Sequence, residues 1–561
     1  MVEYSGASAL VESLKREKVD LVFGIPGGAT LPIYDALVGS GIRHVLARHE
    51  QCAAHMADGF ARVSGRVGVA MATSGPGSTN LVTGIATAYL DSSPVVAITG
   101  QVPTTQLGSD AFQEVDTVGI FNPITKYVMQ PRTLSDVPRA VKAAFYMASS
   151  GRTGPVVVDI PKDVQMAKGE PEFPDAITIR GYTPYIAPDL LAIERVATTL
   201  LKAAKPIILV GGGAVRSGCS PIVLAIAEHL SIPVATTLMG KGSISDDHPL
   251  SLGTIGMHGN YQANMTLTEA DLILSVGVRF SDRSTMNASE FATDKIIIHL
   301  EIDPSEVDKN IKADQYVIGD LNTTARLLYE TVLKKTRNLT ESSWALRVKR
   351  IKEESEALLR KDTNDFLPPA ILRKMRELLP PQAVVTTDVG QNQMWAQLHF
   401  KVFAPRTFIT SGGLGTMGFG LPAAVGAKAF NPRVPILSIV GDGGFVMTCN
   451  ALATSRTEGL PVIVCIFNNS MLGMVAQWQR MFYDRRYSAV QLESVPDMLQ
   501  IAKAFGVEGI RVQSMDELEK AFRTALRSEV TTVIDIPVSP EEDVFPMVPL
   551  GGSLKDMVVK P

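Results

Sequence analysis

The feature that most constrains this chain is a recurring one. Short β-branched runs, almost free of charge, alternate with helical stretches along its whole length, and most of them run into a glycine or a small polar residue. Runs of this kind are strands buried on both faces, which belong to parallel sheets covered by helices. They fall into three blocks. The first holds VGVAMAT (67–73), VVAIT (95–99) and VVVDI (156–160), and the second IILV (207–210), LILSV (272–276) and IIIHL (296–300). The third holds VVTT (384–387), ILSIV (436–440), VIVCIF (462–467) and TVIDI (532–536). A chain of 561 residues is also too long for one core, and about 150–200 residues per domain gives the same count of three. The expected fold class is α/β: three domains, each built on a parallel β-sheet flanked by helices.

Two stretches separate the blocks. Residues 166–187 (MAKGEPEFPDAITIRGYTPYIA) are rich in Pro, Gly and charge, and residues from about 335 to 365 read as a solvated, highly charged helix followed by a connection. The domains expected are 1–165, 188–335 and 365–540, with a tail at 541–561.

Composition excludes several classes. A net charge of −4 gives no electrostatic case for nucleic acid, which needs clustered Lys and Arg. No run of 18 apolar residues exists, so no membrane span is expected. The first twenty residues read as an amphipathic helix rather than a signal peptide. Cys52, Cys219, Cys449 and Cys465 show no CxxC spacing and sit in apolar company, as reduced core residues of a cytoplasmic protein do.

Ligands of open parallel sheets bind beyond the carboxyl ends of the strands. Here those ends read SGPG, TGQVP, DIPKD, VGGG, DVGQN, VGDGG and FNN, a series suited to nucleotide-like cofactors in more than one domain. The sharpest of them lie in block three. Gly441-Asp442-Gly443 closes one strand and Asn468-Asn469 closes the next, with Asp442 and Asn469 27 residues apart. A strand, a helix and a strand fill that gap, so both side chains arrive at neighbouring strand ends. A carboxylate and an amide oxygen there make half of an oxygen-only Mg²⁺ site, to be completed by a backbone carbonyl (Met471 is placed for it), water and diphosphate oxygens. A bare GDG is often only a turn. GDG with NN at this separation is a pattern.

That pattern resembles the thiamine-diphosphate enzymes, and the resemblance extends over the whole chain. It implies thiamine diphosphate and Mg²⁺ as cofactors, a pyrimidine-binding first domain and a diphosphate- and metal-binding third. Glu50, in HEQCAAHMADGFAR, matches the glutamate that reaches the aminopyrimidine ring from a neighbouring subunit, where its carboxyl favours the imino tautomer that deprotonates the thiazolium. Alone, Glu50 would read as a helix-surface residue. Gln391 in DVGQN matches a diphosphate ligand, Met417 in GGLGTMGFG an aminopyrimidine contact, and Met447 in GGFVMT the apolar wedge that holds the cofactor bent.

Within that superfamily the chain resembles the acetohydroxyacid (acetolactate) synthases. FGIPGGATLPIYDAL (23–37) matches their glycine loop, with Gly28 near the reacting centre. DAFQE (110–114) sets Phe112 and Gln113 beside the substrate, and Lys162 in IPKDV puts a cation at a strand end. Met474 and Trp478, one helical turn apart, match a pocket that favours 2-ketobutyrate as second substrate. Asp282 and Arg283 in VRFSDR match an acceptor grip, the arginine suiting a bidentate hold on a carboxylate. Block two resembles the family's FAD domain at Gly212, Leu238, Met257, His258, Arg279, Asp303 and Asp320, with Arg152 from block one. The chain departs from the usual pattern at Ser281, Asn392 and Val446. The resemblance implies decarboxylation of pyruvate and its ligation to a second pyruvate or to 2-ketobutyrate, the first common step towards valine, leucine and isoleucine. It implies a homodimer or homotetramer with active sites at the subunit interface, and allows a small regulatory subunit. Pyruvate oxidase or another thiamine-diphosphate decarboxylase or carboligase is the alternative.

Overall fold

The computed structural model describes residues 3–336, 342–359, 366–493 and 496–559. The domain boundary expected at 365, and part of the connection before it, lie outside these residues. Within them are three six-stranded sheets, parallel throughout. All ten runs read as strands are strands, each within a residue or two of the expected ends. The strands that were not read include every sheet edge: Arg43–Leu46 and Tyr127–Met129, Ser251–Thr254 and Gln315–Ile318, Phe408–Ile409 and Glu508–Arg511. Edge strands are short and partly solvated, so they lack the continuous apolar signature of a central strand.

The middle sheet runs, from one edge to the other, Ser251–Thr254, Val234–Thr236, Pro206–Val210, Leu272–Val276, Ile296–Glu301, Gln315–Ile318. Numbered along the chain this is 3-2-1-4-5-6, the doubly wound order that binds dinucleotides where the strand order reverses. The first sheet runs Arg43–Leu46, Leu21–Gly24, Gly68–Ala72, Val95–Gln101, Val156–Pro161, Tyr127–Met129, which is 2-1-3-4-6-5. The third runs Phe408–Ile409, Val384–Thr387, Ile436–Gly441, Ile463–Asn468, Thr532–Pro537, Glu508–Arg511, again 2-1-3-4-6-5.

The likeness of the outer two sheets goes down to side chains. In the first, Gln101 pairs with Pro161, and its amide donates to Asp159 Oδ2 at 3.2 Å. In the third, Asn468 pairs with Pro537, and its amide donates to Asp535 Oδ1 at 3.0 Å. The sequence shows no tract long enough to reveal this kinship beyond VVVDIP and TVIDIP.

The two outer domains share one hydrophobic core. Between their sheets lie two topologically equivalent helices, Glu50–Ser64 and Gly420–Phe430, packed on each other. Both are rich in Ala and Gly, and the backbones close to a distance that only glycine permits. A Cβ on Gly59 would collide with the Ala423 carbonyl, and one on Gly426 with the Met56 carbonyl.

The connecting segments are not loose. The 166–187 stretch returns Lys168–Gly169 to pair with Tyr4–Ser5, and Tyr182 docks on Lys126 and Ser150. The charged helix Ser343–Leu359 differs from the solvated element expected, because Trp344, Val348 and Ile351 are buried. Trp344 Nε1 donates to the Pro206 carbonyl, and Arg347 pairs with Glu269 at 2.6 Å. The tail crosses the same domain, with Val548 and Leu554 buried in its core.

Gly426→Val tests the helix crossing. Overpacking of this kind costs at least about 2 kcal/mol and should lower the first calorimetric transition by roughly 4–10 °C. An unchanged transition would show that the crossing is not as close as described.

Candidate active site

At the reversal point of the third sheet, Val384–Thr387 and Ile436–Gly441 lie side by side, and their carboxyl ends open into a cavity of about 80 Å³. Gln391, Gly441, Asp442, Gly443, Asn469 and Met471 line it. Two helices, Gln391–His399 and Gly473–Phe482, begin at its wall. Unpaired N–H groups at helix starts favour phosphate. Asp442 is buried, and burial pushes its carboxyl up to about 6, against backbone N–H groups around Gly443 and Ser470 that pull it down. Among the described residues no Lys or Arg pairs with it. A divalent cation supplies what this carboxylate lacks, and Asn469 Oδ1 offers a second oxygen. With two side-chain ligands and no cluster of three His, Cys, Asp or Glu among the described residues, the donor set suits a Mg²⁺ shared with phosphate oxygens.

Gln391 behaves differently from a simple diphosphate ligand. Its oxygen accepts from Asn469 Nδ2 at 3.0 Å, and its amide donates to Gln477 Oε1 at 3.1 Å and to the Glu542 carbonyl at 2.8 Å. Asn392, where the family pattern has another residue, donates to the Ile439 carbonyl and braces the same strand end.

A larger cavity, about 580 Å³, lies between the central and third domains and shares Met417, Met474, Val475 and Gly390 with the smaller one. One wall is the reversal point of the middle sheet. There Gly211 and Gly213 press against Gly277 so closely that a Cβ on Gly211 would clash with the Gly277 carbonyl. Gly212, Leu238, Met257, His258 and Arg279 line this wall. His258 Nδ1 faces the Pro546 carbonyl at 3.3 Å, Nε2 is buried without a partner, and burial pushes the imidazole down to about 4. Arg216, not expected from the sequence, adds a buried guanidinium pushed down to about 10 by burial and by its neighbours Arg279 and Arg62. A glycine crevice, an unused ring nitrogen and two crowded cations fit a dinucleotide with its diphosphate.

On the opposite wall Met474 and Trp478 share a helix face as expected. The Arg283 guanidinium sits 5.5 Å from the Trp478 ring centre and donates to Met257 Sδ. Trp478 Nε1 is buried without a partner.

Three residues expected at the flavin lie outside this lining. Asp320 caps the helix Leu321–Lys335 through Thr323 N–H at 2.9 Å. Asp303 and Glu306 hold Arg152 at 3.1 and 2.6 Å, beside Arg279. Met447 is 56% exposed and lies against Gly418.

The first-domain residues form a separate group at the carboxyl edge of their sheet. Glu50 opens its helix and accepts from Asn80 Nδ2 at 2.9 Å. Gly77 approaches the Glu50 carboxyl, and Gly75 packs on Gln113. Gly28 is exposed, with open space around it, Lys162 begins the short helix Lys162–Met166, and Phe112 is 89% exposed. None of these lines either of the two cavities described.

Comparison with known proteins agrees with this layout. Residues 4–120 match the N-terminal thiamine pyrophosphate-binding domain of thiamine pyrophosphate enzymes, residues 193–328 their central domain, and residues 388–536 their C-terminal thiamine pyrophosphate-binding domain. The chain is similar to the probable acetolactate synthase large subunit of Methanocaldococcus jannaschii, 46% identical over 99% of this chain and 95% of that protein. It is 43% identical to the acetolactate synthase isozyme 3 large subunit of Escherichia coli K12, over 99% of this chain and 98% of that protein. With the acetolactate synthase large subunit of Haemophilus influenzae the identity is 41%, over 100% of this chain and 99% of that protein. The chain belongs to the thiamine pyrophosphate enzymes and, within them, to the acetolactate synthase large subunits.

If Asp442 holds the metal, Mg²⁺ with thiamine diphosphate should raise the unfolding temperature of the parent chain, since a ligand at 100 times its Kd adds about 2.7 kcal/mol. In Asp442→Ala that rise should vanish, with little change in the unliganded chain. A rise of equal size in the variant would remove Asp442 from the site.

Proposed function

We propose that this chain catalyses the condensation of pyruvate with a second 2-keto acid, pyruvate or 2-ketobutyrate, with loss of carbon dioxide, using thiamine diphosphate and Mg²⁺ and carrying FAD in its central domain. The observation that carries the reading is the Arg283–Trp478 pair, in a cavity that shares a wall with the Asp442–Asn469 cavity. Bound thiamine diphosphate supplies a nucleophilic carbon and an electron sink for decarboxylation.

The chain's own residues do the rest. Asp442, Asn469 and the Met471 carbonyl hold the metal, and the helix starts at Gln391 and Gly473 take the diphosphate. Arg283 fixes the carboxylate of the second keto acid, and its planar guanidinium stacked on Trp478 sets that carboxylate's angle. Trp478 and Met474 bound the pocket for the acceptor's alkyl group. Met417 stands where the two cavities meet, at the reacting centre. Gly212, Leu238, Met257, His258 and Arg279, with Arg216, hold the flavin.

Glu50 holds a proton at the aminopyrimidine nitrogen. It does so from a neighbouring copy of the chain, with Gly28, Phe112, Gln113 and Lys162 beside it. The absence of this group from the lining of the Asp442 cavity, and the exposure of Phe112 and Met447, support a homodimer or larger assembly whose sites lie between subunits. The relatives' designation as large subunits supports pairing with a smaller regulatory chain.

The direct test supplies pure protein, thiamine diphosphate, Mg²⁺ and FAD with pyruvate, with and without 2-ketobutyrate. Acetolactate, joined by 2-aceto-2-hydroxybutyrate in the mixed reaction, is expected, and Trp478→Leu should shift the mixed ratio towards acetolactate. Acetyl phosphate with oxygen uptake would instead mark an oxidase.

Glu50→Gln should slow turnover by about 10²–10⁴. Mixed with Asp442→Ala chains and allowed to exchange subunits, it should recover roughly a quarter of parental activity, because half of the sites in a mixed dimer are intact. No recovery would place both residues of a site in one chain.

A further inference from the structure

Gln477 lies on the helix Gly473–Phe482, one residue before Trp478, and is fully buried. Its side chain is clamped by one residue of the C-terminal tail: Val544 N–H donates to Gln477 Oε1 at 2.9 Å, and Gln477 Nε2 donates to the Val544 carbonyl at 3.1 Å. Because the tail's N–H can only donate, the Gln477 oxygen must face it. That oxygen also accepts from Gln391 Nε2, which donates to the Glu542 carbonyl of the same tail as well, so the Gln391 oxygen points the other way and accepts from Asn469 Nδ2. Asn469 is thereby left with its oxygen turned away from the relay. At that far end Met471 N–H donates to Asn469 Oδ1 at 3.2 Å, a second backbone donor demanding the same orientation. Three amides in series therefore have one allowed polarity, fixed by backbone at both ends.

Glycine at 473 is part of the device. A Cβ there would intrude between Gln391 Oε1 and Asn469 Nδ2, so the helix can cross this hydrogen bond only without a side chain.

We propose that Gln477 is a positioning residue which, through Gln391, transmits the backbone polarity of tail residue Val544 to Asn469 and so presents the Asn469 oxygen to the metal. The proposal rests on the reading of Asp442 and Asn469 as Mg²⁺ ligands. A flipped Asn469 would turn an NH₂ group towards the cation. The relay removes that alternative before the metal arrives.

The test measures Mg²⁺ affinity of the full chain at saturating thiamine diphosphate by calorimetric titration, beside the unfolding temperature of each ligand-free variant. Gln477→Leu cuts the relay at its root, and Gly473→Ala disturbs it at the Gln391–Asn469 bond. Each should weaken Mg²⁺ binding by about 10–100-fold, the usual cost of losing a partner that orients a metal ligand. Gln477→Glu, held neutral by full burial, keeps an acceptor for Val544 N–H and Gln391 and an O–H for the Val544 carbonyl, preserves the polarity, and should stay within about threefold of the parent. Asn469→Asp has two equivalent oxygens and nothing to orient, so adding Gln477→Leu to it should cost less than about threefold, a non-additive result.

Equal losses from Gln477→Leu in the parent and in the Asn469→Asp variant, or an unchanged affinity in both Gln477→Leu and Gly473→Ala, would overturn the relay. Should Gln477→Leu fail to fold, Gly473→Ala alone and with Asn469→Asp decides by the same criterion. A parent chain that binds no Mg²⁺ with thiamine diphosphate would instead defeat the metal-site reading itself.

Discussion

The structure depends on the close crossing of two helices, Glu50–Ser64 and Gly420–Phe430. They are equivalent elements of two domains with the same strand order, and Gly59 and Gly426 let their backbones approach to a distance no other residue allows. This contact merges the cores of the two outer domains and fixes the starting point of the first helix, which is Glu50. Two residues on, Cys52 Sγ lies 3.2 Å from Asn450 Oδ1, just beyond the short helix that carries Asp442 and Met447. Placing the Glu50 carboxylate at the end of this closely packed helix makes its position a property of the core rather than of a loop. At the helix N-terminus the carboxylate also meets the favourable end of the helix dipole.

The central domain is attached through charge as well as packing. Arg62, on the crossing helix, pairs with Asp58 at 2.7 Å and with Asp91 at 2.8 Å, and both carboxylates are buried. Asp91 also accepts from Gly413 N–H, and its carbonyl accepts from Arg216. Arg62 therefore has full compensation, whereas Arg216, half-buried and crowded by Arg279, has no carboxylate partner among the described residues. A cation left this way is unfavourable in an empty crevice and suited to one that takes a diphosphate. The asymmetry between the two arginines marks the crevice as a ligand site without appeal to motif.

Much of this was legible in the sequence, for identifiable reasons. Most central strands announced themselves because burial on both faces leaves only apolar residues, though Leu21–Gly24 and Val234–Thr236, interior and buried, were too short to be read. GDG with NN suggested a metal site because a metal constrains residue type and spacing together. Edge strands were illegible because one side faces solvent. The structural likeness of the outer domains hid in two six-residue strands, since strand order leaves no trace in composition. Asp303, Asp320 and Arg152 were expected at the flavin. Residue identity carries over along a motif more readily than geometry, and here the Asp320 carboxyl serves a helix cap while Asp303 holds Arg152. Gln477 was passed over because a glutamine on an amphipathic helix reads as surface, and only burial together with a backbone clamp reveals it.

The use of amides around the proposed metal site follows from charge. A second carboxylate in place of Asn469 would raise further the pKa of Asp442, already pushed up to about 6 by burial. An amide adds an oxygen without a charge, but it has two unlike ends and must be oriented. Orientation by another side chain only moves the problem along, until a backbone group ends the series. That group belongs to the C-terminal tail, and the same tail continues past Pro546, whose carbonyl meets His258, to Val548, whose N–H donates to the Met257 carbonyl. One short strap, 544–548, therefore touches the Gln477–Gln391–Asn469 series at one end and the Met257–His258 wall of the larger cavity at the other. Displacing the tail would break the hydrogen bonds at both cavities together, so its seating couples the two walls.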